Sequence, residues 1–242
     1  MDYPCANSED NMKILCANPQ LEFETYKPEI LKSIDTVYSS GIFIGGEQTK
    51  RLEDEFAEYN DSKYSIAVSN GTTAIELVLR ALDRDERDEV ITVSHTAVPT
   101  VAAIELANYT PHLIDIDSAT FTLCPNALKK AITKRTKAVI LVHLYGQPAY
   151  IEEIIDICKA NNVILIEDCS QSHGARWGNT KVGNFGIAGC FSCYPTKNLG
   201  ALGDAGLITT NNTDLYNKIK LLKEYGWKER GVSIEKGGNY RI

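Results

Sequence analysis

The stretch KAVILVHLYGQPAYIEEIIDICKANNVILIED (residues 137–168) carries the pattern that decides the fold. It begins and ends with short apolar runs, each of the length of a strand. Between them, AYIEEIIDICKAN places Ile151, Ile154, Ile155 and Cys158 on one face, as an amphipathic helix does. Strands that are uninterrupted apolar runs are typical of a sheet covered on both faces. The stretch therefore predicts a strand–helix–strand unit of a parallel sheet.

The same alternation continues on both sides of this unit, without an internal repeat or a linker. The predicted strands are 64–69, 88–94, 112–117, 137–146, 163–168, 189–193 and 206–210, and the predicted helices are 46–59, 71–82, 98–107, 125–133, 149–161 and 213–226. Strands alternating with helices at these lengths predict an α/β fold, a mostly parallel sheet with helices on both faces. Residues 1–20 are predicted to be an N-terminal arm, and 21–242 one large domain.

Composition excludes several classes of protein. The 242 residues carry a formal charge of −7, which argues against a general binder of nucleic acid or of anionic membranes. No apolar run is long enough to span a bilayer, and the first fifteen residues lack the apolar core of a signal peptide. We therefore expect a cytoplasmic protein without membrane or nucleic-acid partners.

Seven cysteines, an odd number, lie scattered through apolar segments, which suits reduced thiols. Cys190 and Cys193 form a C-x-x-C pair, but no other paired cysteines support a metal site. We interpret the pair as small apolar residues at a strand end and predict no metal.

Ligands of such sheets bind beyond the carboxyl ends of strands. The strand at 64–69 is followed at once by Asn70-Gly71-Thr72 and a helix, whose free amides and dipole suit a phosphate. A plain helix cap by Ser69 or Asn70 is the alternative. Neither G-x-G-x-x-G nor G-x-x-x-x-G-K-[ST] occurs, which disfavours the standard nucleotide loops.

Two further strand ends carry reactive groups. The strand at 163–168 ends in Glu167 and Asp168, and a buried carboxylate needs a partner: a helix cap or a cationic ligand nitrogen. Lys197 follows the strand at 189–193, with Ser192 just before it as a candidate phosphate ligand. A phosphate cradle, an acid and a lysine together fit pyridoxal 5'-phosphate, which has a phosphate, a ring nitrogen and an aldehyde that forms a Schiff base with a lysine.

Six segments resemble, in order, the DegT/DnrJ/EryC1/StrS sugar aminotransferases: SNGTTAIELVL, DEVITVSHTAVPTVAAIE, LIDID, RTKAVILVHLYGQP, ILIEDCSQSHGA and FSCYPTKNLGALGDAG. The resemblance runs from about Gly41 to the last residue. It implies the large domain of a homodimeric, fold-type I pyridoxal-phosphate enzyme that transfers an amino group from glutamate to a nucleotide-linked keto sugar. YPTKNLGALGD with EYGWKERG is most similar to the branch that acts at C3 of dTDP-3-keto-6-deoxyhexoses.

The resemblance also assigns residues. Lys197 matches the Schiff-base lysine, Asp168 the acid at the pyridinium nitrogen, and Gln171 the residue beside the ring's 3-oxygen. Gly71, Thr72 and Ser192 match phosphate ligands, and Asn239 matches an asparagine that reaches the partner subunit's phosphate.

The sequence departs from the family's pattern at two places. Ala97 stands where many members stack an aromatic ring on the cofactor, so we expect His95 to cover the ring, with a hydrogen-bonded loop residue as the alternative. The chain ends at Ile242, where the family continues into a small C-terminal domain, so we expect that domain to be missing.

Three other interpretations remain open at this stage. The first is a catalytically silent member of the family, truncated or regulatory. The second is a sugar dehydratase of the same family, and the third is a Rossmann-like oxidoreductase. Losing the lysine is the simplest route to a silent protein, so Lys197 disfavours the first interpretation, whereas the expected truncation favours it. Dehydratases typically replace this lysine, so Lys197 disfavours the second. The missing glycine fingerprint disfavours the third.

Overall fold

The computed structural model describes residues 15–83 and 85–242. Its helices are α1 (Pro19–Ser40), α2 (Glu47–Tyr59), α3 (Gly71–Ala81), α4 (Val98–Leu106), α5 (Pro125–Ala131), α6 (Ile151–Ala160) and α7 (Thr213–Lys223). Its strands are β1 (Tyr64–Val68), β2 (Glu89–Val93), β3 (Thr110–Ile114), β4 (Thr136–Val142), β5 (Ile164–Asp168), β6 (Arg176–Trp177), β7 (Thr180–Lys181), β8 (Gly189–Ser192), β9 (Gly206–Thr210), β10 (Trp227–Glu229) and β11 (Val232–Ser233).

Seven of these strands form the central sheet, in the order β1-β9-β8-β5-β4-β2-β3. Strand β9 runs antiparallel to both neighbours, and the other neighbouring pairs are parallel. Because β1 and β8 both oppose β9, they point the same way, so six strands end at one edge of the sheet. The predicted mostly parallel α/β fold is confirmed.

The core lies on both faces of this sheet. Every residue of β4 is buried, although its side chains point alternately to opposite faces, so both faces are covered. Helix α3 packs against α4 and α7, and α5 packs against α6. Phe191 on β8 and Leu77 on α3 are among the fully buried side chains of this core.

Helix α1 stands apart from the core and was not predicted. None of its 22 residues is buried, although it carries exposed apolar side chains such as Leu21 and Tyr26. Most of the arm predicted for residues 1–20 lies outside the described residues, and the helix begins at Pro19. Among the described residues, no helix combines the length and the apolar character required to cross a bilayer.

Candidate active site

A cavity of about 380 Å³ lies at the edge where the parallel strands end. Residues following β1, β2, β4, β5 and β8 line it, so segments far apart in sequence meet there. Six of the eight residues predicted to hold the cofactor are among the lining residues: Gly71, Thr72, Asp168, Gln171, Ser192 and Lys197.

The first part of the site is the start of α3. The Thr73 N–H donates to Asn70 Oδ1 at 2.8 Å, so Asn70 is indeed the helix cap. The cap leaves the amides of Gly71 and Thr72 without an intrahelical acceptor, as the first amides of any helix are. These amides and the positive end of the helix dipole face the cavity and suit an anion.

Gly71 is required there because the chain is crowded. A Cβ added to Gly71 would lie 2.7 Å from Ser192 Cβ and 3.3 Å from Ser170 Oγ, and one added to Gly206 would lie 2.5 Å from the Asn70 carbonyl. The absence of side chains at Gly71 and Gly206 lets the start of α3 approach β8 and β9. The two serine side chains thereby come next to the free amides and complete a cradle for a phosphate.

Asp168 forms the second part of the site, at the end of β5. It is only 5% exposed. Its Oδ2 accepts a hydrogen bond from Thr100 Oγ1 at 2.8 Å, and its Oδ1 accepts one from the Ser170 amide at 3.1 Å. Within residues 15–83 and 85–242, Asp168 has no ion-pair partner. A buried carboxylate with only neutral donors favours a cationic ligand atom, such as a protonated ring nitrogen.

Lys197 forms the third part, in a loop between β8 and β9. Cys193 closes the base of this loop through 2.8 Å hydrogen bonds from its amide to the Ala205 carbonyl and from the Ala201 amide to its own carbonyl. The Lys197 amide donates to the Tyr194 carbonyl at 2.8 Å, which fixes a turn at the lysine. In the part of the chain that the structure describes, the lysine amine makes no hydrogen bond or ion pair. It is therefore available as a nucleophile.

Gln171 connects the site to the loop after β4. Its Oε1 accepts a hydrogen bond from the Tyr145 amide at 3.0 Å, which leaves the side-chain nitrogen as a donor. This orientation suits the predicted role of Gln171 beside an anionic ring oxygen.

Two predicted residues lie outside the cavity wall. His95 is half-buried and meets the ring of Tyr145 edge-on at 5.9 Å, while Ala97 lines the cavity. Asn239 is exposed, and its Oδ1 accepts a hydrogen bond from Arg241 Nε at 3.0 Å. The next residue, Tyr240, binds the Ser69 amide through its carbonyl at 2.9 Å, so the segment of Asn239 lies beside the phosphate cradle.

Sequence reasoning missed Thr100 and Thr96, whose hydroxyls share a 2.8 Å hydrogen bond behind Asp168. Their spacing of four residues, from the loop before α4 to its first turn, is the feature that could have indicated them. It also missed His143, a residue that lines the cavity from the end of β4.

His143 and Glu167 form a fully buried pair. His143 Nδ1 accepts from the Ala149 amide at 3.2 Å, so its Nε2 carries the proton that Glu167 Oε2 accepts at 3.1 Å. Glu167 also accepts the amides of Gly183, Phe185 and Gly186, each at 2.7 Å. His143, Glu167 and Cys169 lie close enough together to hold a metal, but these hydrogen bonds already occupy the nitrogens and carboxylate oxygens.

The cysteines of the C-x-x-C pair are buried and free. Burial raises the pKa of Cys193 to about 11, and burial together with the nearby acids Asp168 and Glu167 raises the pKa of Cys190 well above its ordinary value. Both thiols therefore stay protonated and unreactive, as expected of small apolar residues at a strand end.

The three parts of the site satisfy the three demands of pyridoxal 5'-phosphate at once. The cradle at Gly71 suits the phosphate, Asp168 suits the ring nitrogen, and the free amine of Lys197 suits the aldehyde. The residues present therefore fit this cofactor.

A sequence model of the DegT/DnrJ/EryC1/StrS aminotransferase family matches residues 24–242. The chain belongs to this family. Pyridoxal 5'-phosphate is the cofactor of its aminotransferases, which confirms the cofactor predicted from the strand ends.

Several known proteins are similar to the chain. A dTDP-3-amino-3,6-dideoxy-alpha-D-galactopyranose transaminase of Aneurinibacillus thermoaerophilus is 42% identical over 90% of the chain. A protein of Geobacillus stearothermophilus named pleiotropic regulatory protein is 40% identical over 91% of it. Other relatives are named for UDP- and GDP-linked sugars.

Among solved structures, DesV of S. venezuelae in complex with a ketimine intermediate superposes with a TM-score of 0.90, at 33% identity over 93% of the chain. The chain spans 60% of the transaminase, 59% of the regulatory protein and 61% of DesV. It is therefore about three fifths as long as these relatives.

Proposed function

We propose that the chain forms the cofactor-binding part of an aminotransferase that moves an amino group from glutamate to a keto sugar linked to a nucleotide. The observation that carries this proposal is the convergence of Lys197, Asp168 and the cradle at Gly71 on one cavity. Each group lies at a different strand end, and together they meet the demands of one cofactor.

The residues divide the chemistry among them. Lys197 would hold the aldehyde of the cofactor, and its amine would move a proton at the Cα of the amino acid. Asp168 keeps the ring nitrogen protonated. Bound pyridoxal phosphate supplies the sink for the electron pair left at Cα. Thr100 and the Ser170 amide hold Asp168 in place for this role.

Within this class of substrates, the keto sugar that we propose is a dTDP-3-keto-6-deoxyhexose, which is aminated at C3. The segments YPTKNLGALGD and EYGWKERG support it, as does the dTDP-sugar name of a relative 42% identical to the chain. We also propose that two chains form a dimer in which Asn239 reaches the partner's phosphate cradle, which its exposed position permits.

The test begins with the lysine. Purified chain with added pyridoxal phosphate and borohydride should carry a pyridoxyl label at Lys197, found by peptide mass spectrometry. Lys197→Ala should abolish the label and lower amine transfer by roughly 10²–10⁴-fold or more. Lys50→Ala, on the exposed side of α2, is the matched control and should change neither.

Amine transfer from glutamate to 3-keto and 4-keto dTDP sugars then tests the substrate. Faster transfer to the 3-keto sugar supports the C3 assignment, and faster transfer to the 4-keto sugar refutes it.

A second candidate function is a catalytically silent, regulatory protein, favoured by the relative named pleiotropic regulatory protein. A chain that takes no label at Lys197 supports this alternative instead.

A further inference from the structure

A small cavity of about 180 Å³ lies at the open edge of the central sheet, between α2, α7 and the start of β1. Strand β1 is the last strand of the sheet, so one of its edges pairs with β9 and the other has no neighbouring strand. The proposed phosphate cradle follows the far end of β1, and the strand from Ser65 to Ser69 spans roughly 13 Å. None of the residues assigned to the cofactor lines this cavity.

The open edge of β1 already binds charged side chains at Ala67. Glu53 Oε1 accepts a hydrogen bond from the Ala67 amide at 2.8 Å, and Lys223 Nζ donates one to the Ala67 carbonyl at 3.2 Å. Ser65 lies two positions earlier, and backbone groups two positions apart in a strand point to the same edge. The amide of Ser65 therefore faces the open edge too, where an anionic oxygen would serve it as Glu53 serves Ala67.

The side chain of Ser65 adds a second donor. Ser65 lines the cavity and is 5% exposed, and its hydroxyl makes no hydrogen bond within residues 15–83 and 85–242. Leaving a buried hydroxyl unpaired is unfavourable, and most such groups in proteins have a partner. The position therefore favours a ligand that accepts a hydrogen bond from this hydroxyl.

Two lysines bring positive charge to the cavity, each held over an aromatic ring. Lys63 Nζ lies 4.9 Å from the centroid of the Tyr64 ring. Lys220 Nζ lies 5.3 Å from the centroid of the Tyr216 ring. The two rings stack on each other with 4.1 Å between centroids, so both ammonium groups belong to one wall. Lys63 also donates to Thr213 Oγ1 at 3.1 Å, which leaves two of its three protons for a ligand.

The two acids that line the cavity are both balanced. Glu53 pairs with Lys223 at 3.1 Å. Asp54 and Lys50 lie one turn apart on the exposed side of α2, so their opposite charges cancel at the rim. Among the residues that the structure describes, Lys63 and Lys220 have no ion-pair partner, so the charges of these two lysines are uncompensated.

We infer that this cavity binds a free tetrahedral oxyanion, such as inorganic phosphate. The hydroxyl and the amide of Ser65 donate to its oxygens, and Lys63 and Lys220 balance its charge. The volume suits a small ion, since cavities for larger ligands have roughly 300–1,000 Å³. The bound ion would tie α7 to the open edge of β1, and the inference does not depend on the proposed function.

The experiment is urea unfolding of the cofactor-free chain at increasing concentrations of inorganic phosphate, with sodium chloride at equal ionic strength as the reference. An ion that binds only the folded chain raises its stability with concentration, so the series gives the affinity. The variants are Ser65→Ala and Lys220→Ala. Lys218→Ala is the matched control, because it removes the same charge from the same helix, outside the cavity. Ser65→Ala removes an unpaired hydroxyl, so without phosphate it should be at least as stable as the wild type.

We expect phosphate to stabilise the wild type more than chloride does. Ser65→Ala and Lys220→Ala should each weaken the affinity for phosphate by at least about 10-fold, and Lys218→Ala should leave it unchanged. No stabilisation beyond that of chloride, or equal phosphate affinity in the three variants, would overturn the inference.

Two further measurements identify the site and the ion. The proposed cofactor cradle also suits phosphate, so a phosphate effect that is lost in Gly71→Ala but kept in Ser65→Ala would assign the binding to the cradle and overturn the inference. AMP carries the same phosphate on a nucleoside and should bind at least about 10-fold more weakly than the free ion. AMP that binds as tightly as phosphate, with the same loss in Ser65→Ala, would refute a site for a free ion.

Discussion

Thr100 Oγ1 lies 2.8 Å from Asp168 Oδ2 and donates the hydrogen bond that holds this buried carboxylate. The two residues are 68 positions apart in sequence, on α4 and at the end of β5. Thr100 in turn meets Thr96, so a short chain of hydroxyls orients the acid that faces the cavity.

Thr100→Val should loosen this arrangement. Valine has nearly the same shape but no donor, so a buried oxygen of Asp168 loses a partner, at a cost of about 1–3 kcal/mol in the free energy of unfolding. Pyridoxal phosphate should also bind more weakly because Asp168 is less well oriented. Urea unfolding and a titration of the cofactor measure the two effects. Thr110→Val, on the exposed edge strand β3, is the matched control; a Thr100 variant as stable as this control would show that the hydrogen bond contributes little.

Gly71→Ala should fill the phosphate cradle. The new Cβ would lie 2.7 Å from Ser192 Cβ, a distance that forces the start of α3 away from β8. We expect the affinity for pyridoxal phosphate to fall by about 10-fold or more, because the displaced amides at the start of α3 no longer face the phosphate. Gly203→Ala is the matched control, because a Cβ there meets nothing within 4 Å and the residue lies in the same sheet-edge region. Equal cofactor affinity in the two variants would contradict the assignment of the cradle.

The elements that the sequence predicts well are those with a strong local pattern. The amphipathic helix at 151–160 and the apolar strand at 164–168 appear within a residue or two of their predicted bounds. Helix α1 was missed although its sequence carries a helical stripe: Phe23, Ile30 and Val37 recur every seven residues and are the residues of the helix that are half-buried. The antiparallel direction of β9 was also beyond prediction, because a short apolar run does not specify which way its strand points.

The candidate site shows the same division. Asp168 and Lys197 were predictable because Asp168 ends a strand, Lys197 lies in the loop that follows another, and the carboxyl ends of parallel strands meet. The side-chain partner of Asp168 was not, since the contact with Thr100 depends on how α4 packs across the sheet. The sequence predicted a buried acid at 167–168 without showing that the two carboxylates face different surroundings. The structure separates them: Asp168 faces the cavity, and Glu167 faces the loop at 183–186.

His173 should make the stability of the chain depend on pH. Its ring packs against Phe191, with 5.3 Å between centroids, and burial lowers its pKa to about 4, with the positive charge of Lys197 acting in the same direction. In the unfolded chain the imidazole has its ordinary pKa near 6.5, so between pH 4 and 6.5 it binds a proton that the folded chain does not bind. The neutral imidazole therefore makes its full contribution to the free energy of unfolding above about pH 6.5. As the pH falls towards 4, this contribution is lost, and the free energy of unfolding decreases by on the order of 3 kcal/mol.

The measurement is urea unfolding of the cofactor-free chain between pH 4 and 7. His173→Gln should flatten the dependence in this window, because glutamine does not titrate. Lowered carboxylate pKa values, such as that of Asp85 beside Arg87 and Lys137, give a slope of the same sign, but it persists in the variant and cancels in the comparison. His112→Gln, on β3, is the matched control. If the His173 variant keeps the full slope of the wild type, burial of this imidazole is not its cause.

Glu167→Gln should destabilise the fold more than any other change considered so far. Glu167 is fully buried and accepts four hydrogen bonds, one from His143 Nε2 and three from the amides of Gly183, Phe185 and Gly186. A glutamine of the same size has one acceptor oxygen, and its NH₂ group would face donors, leaving at least one buried donor without a partner. We expect the free energy of unfolding to fall by roughly 3–5 kcal/mol, the range for breaking a buried charged pair.

Urea unfolding measures this loss, and Glu152→Gln on the exposed face of α6 is the control. Because the loop at 183–186 also packs against β8, a Glu167 variant as stable as this control would mean that the loop, and not the carboxylate, holds this side of the site together.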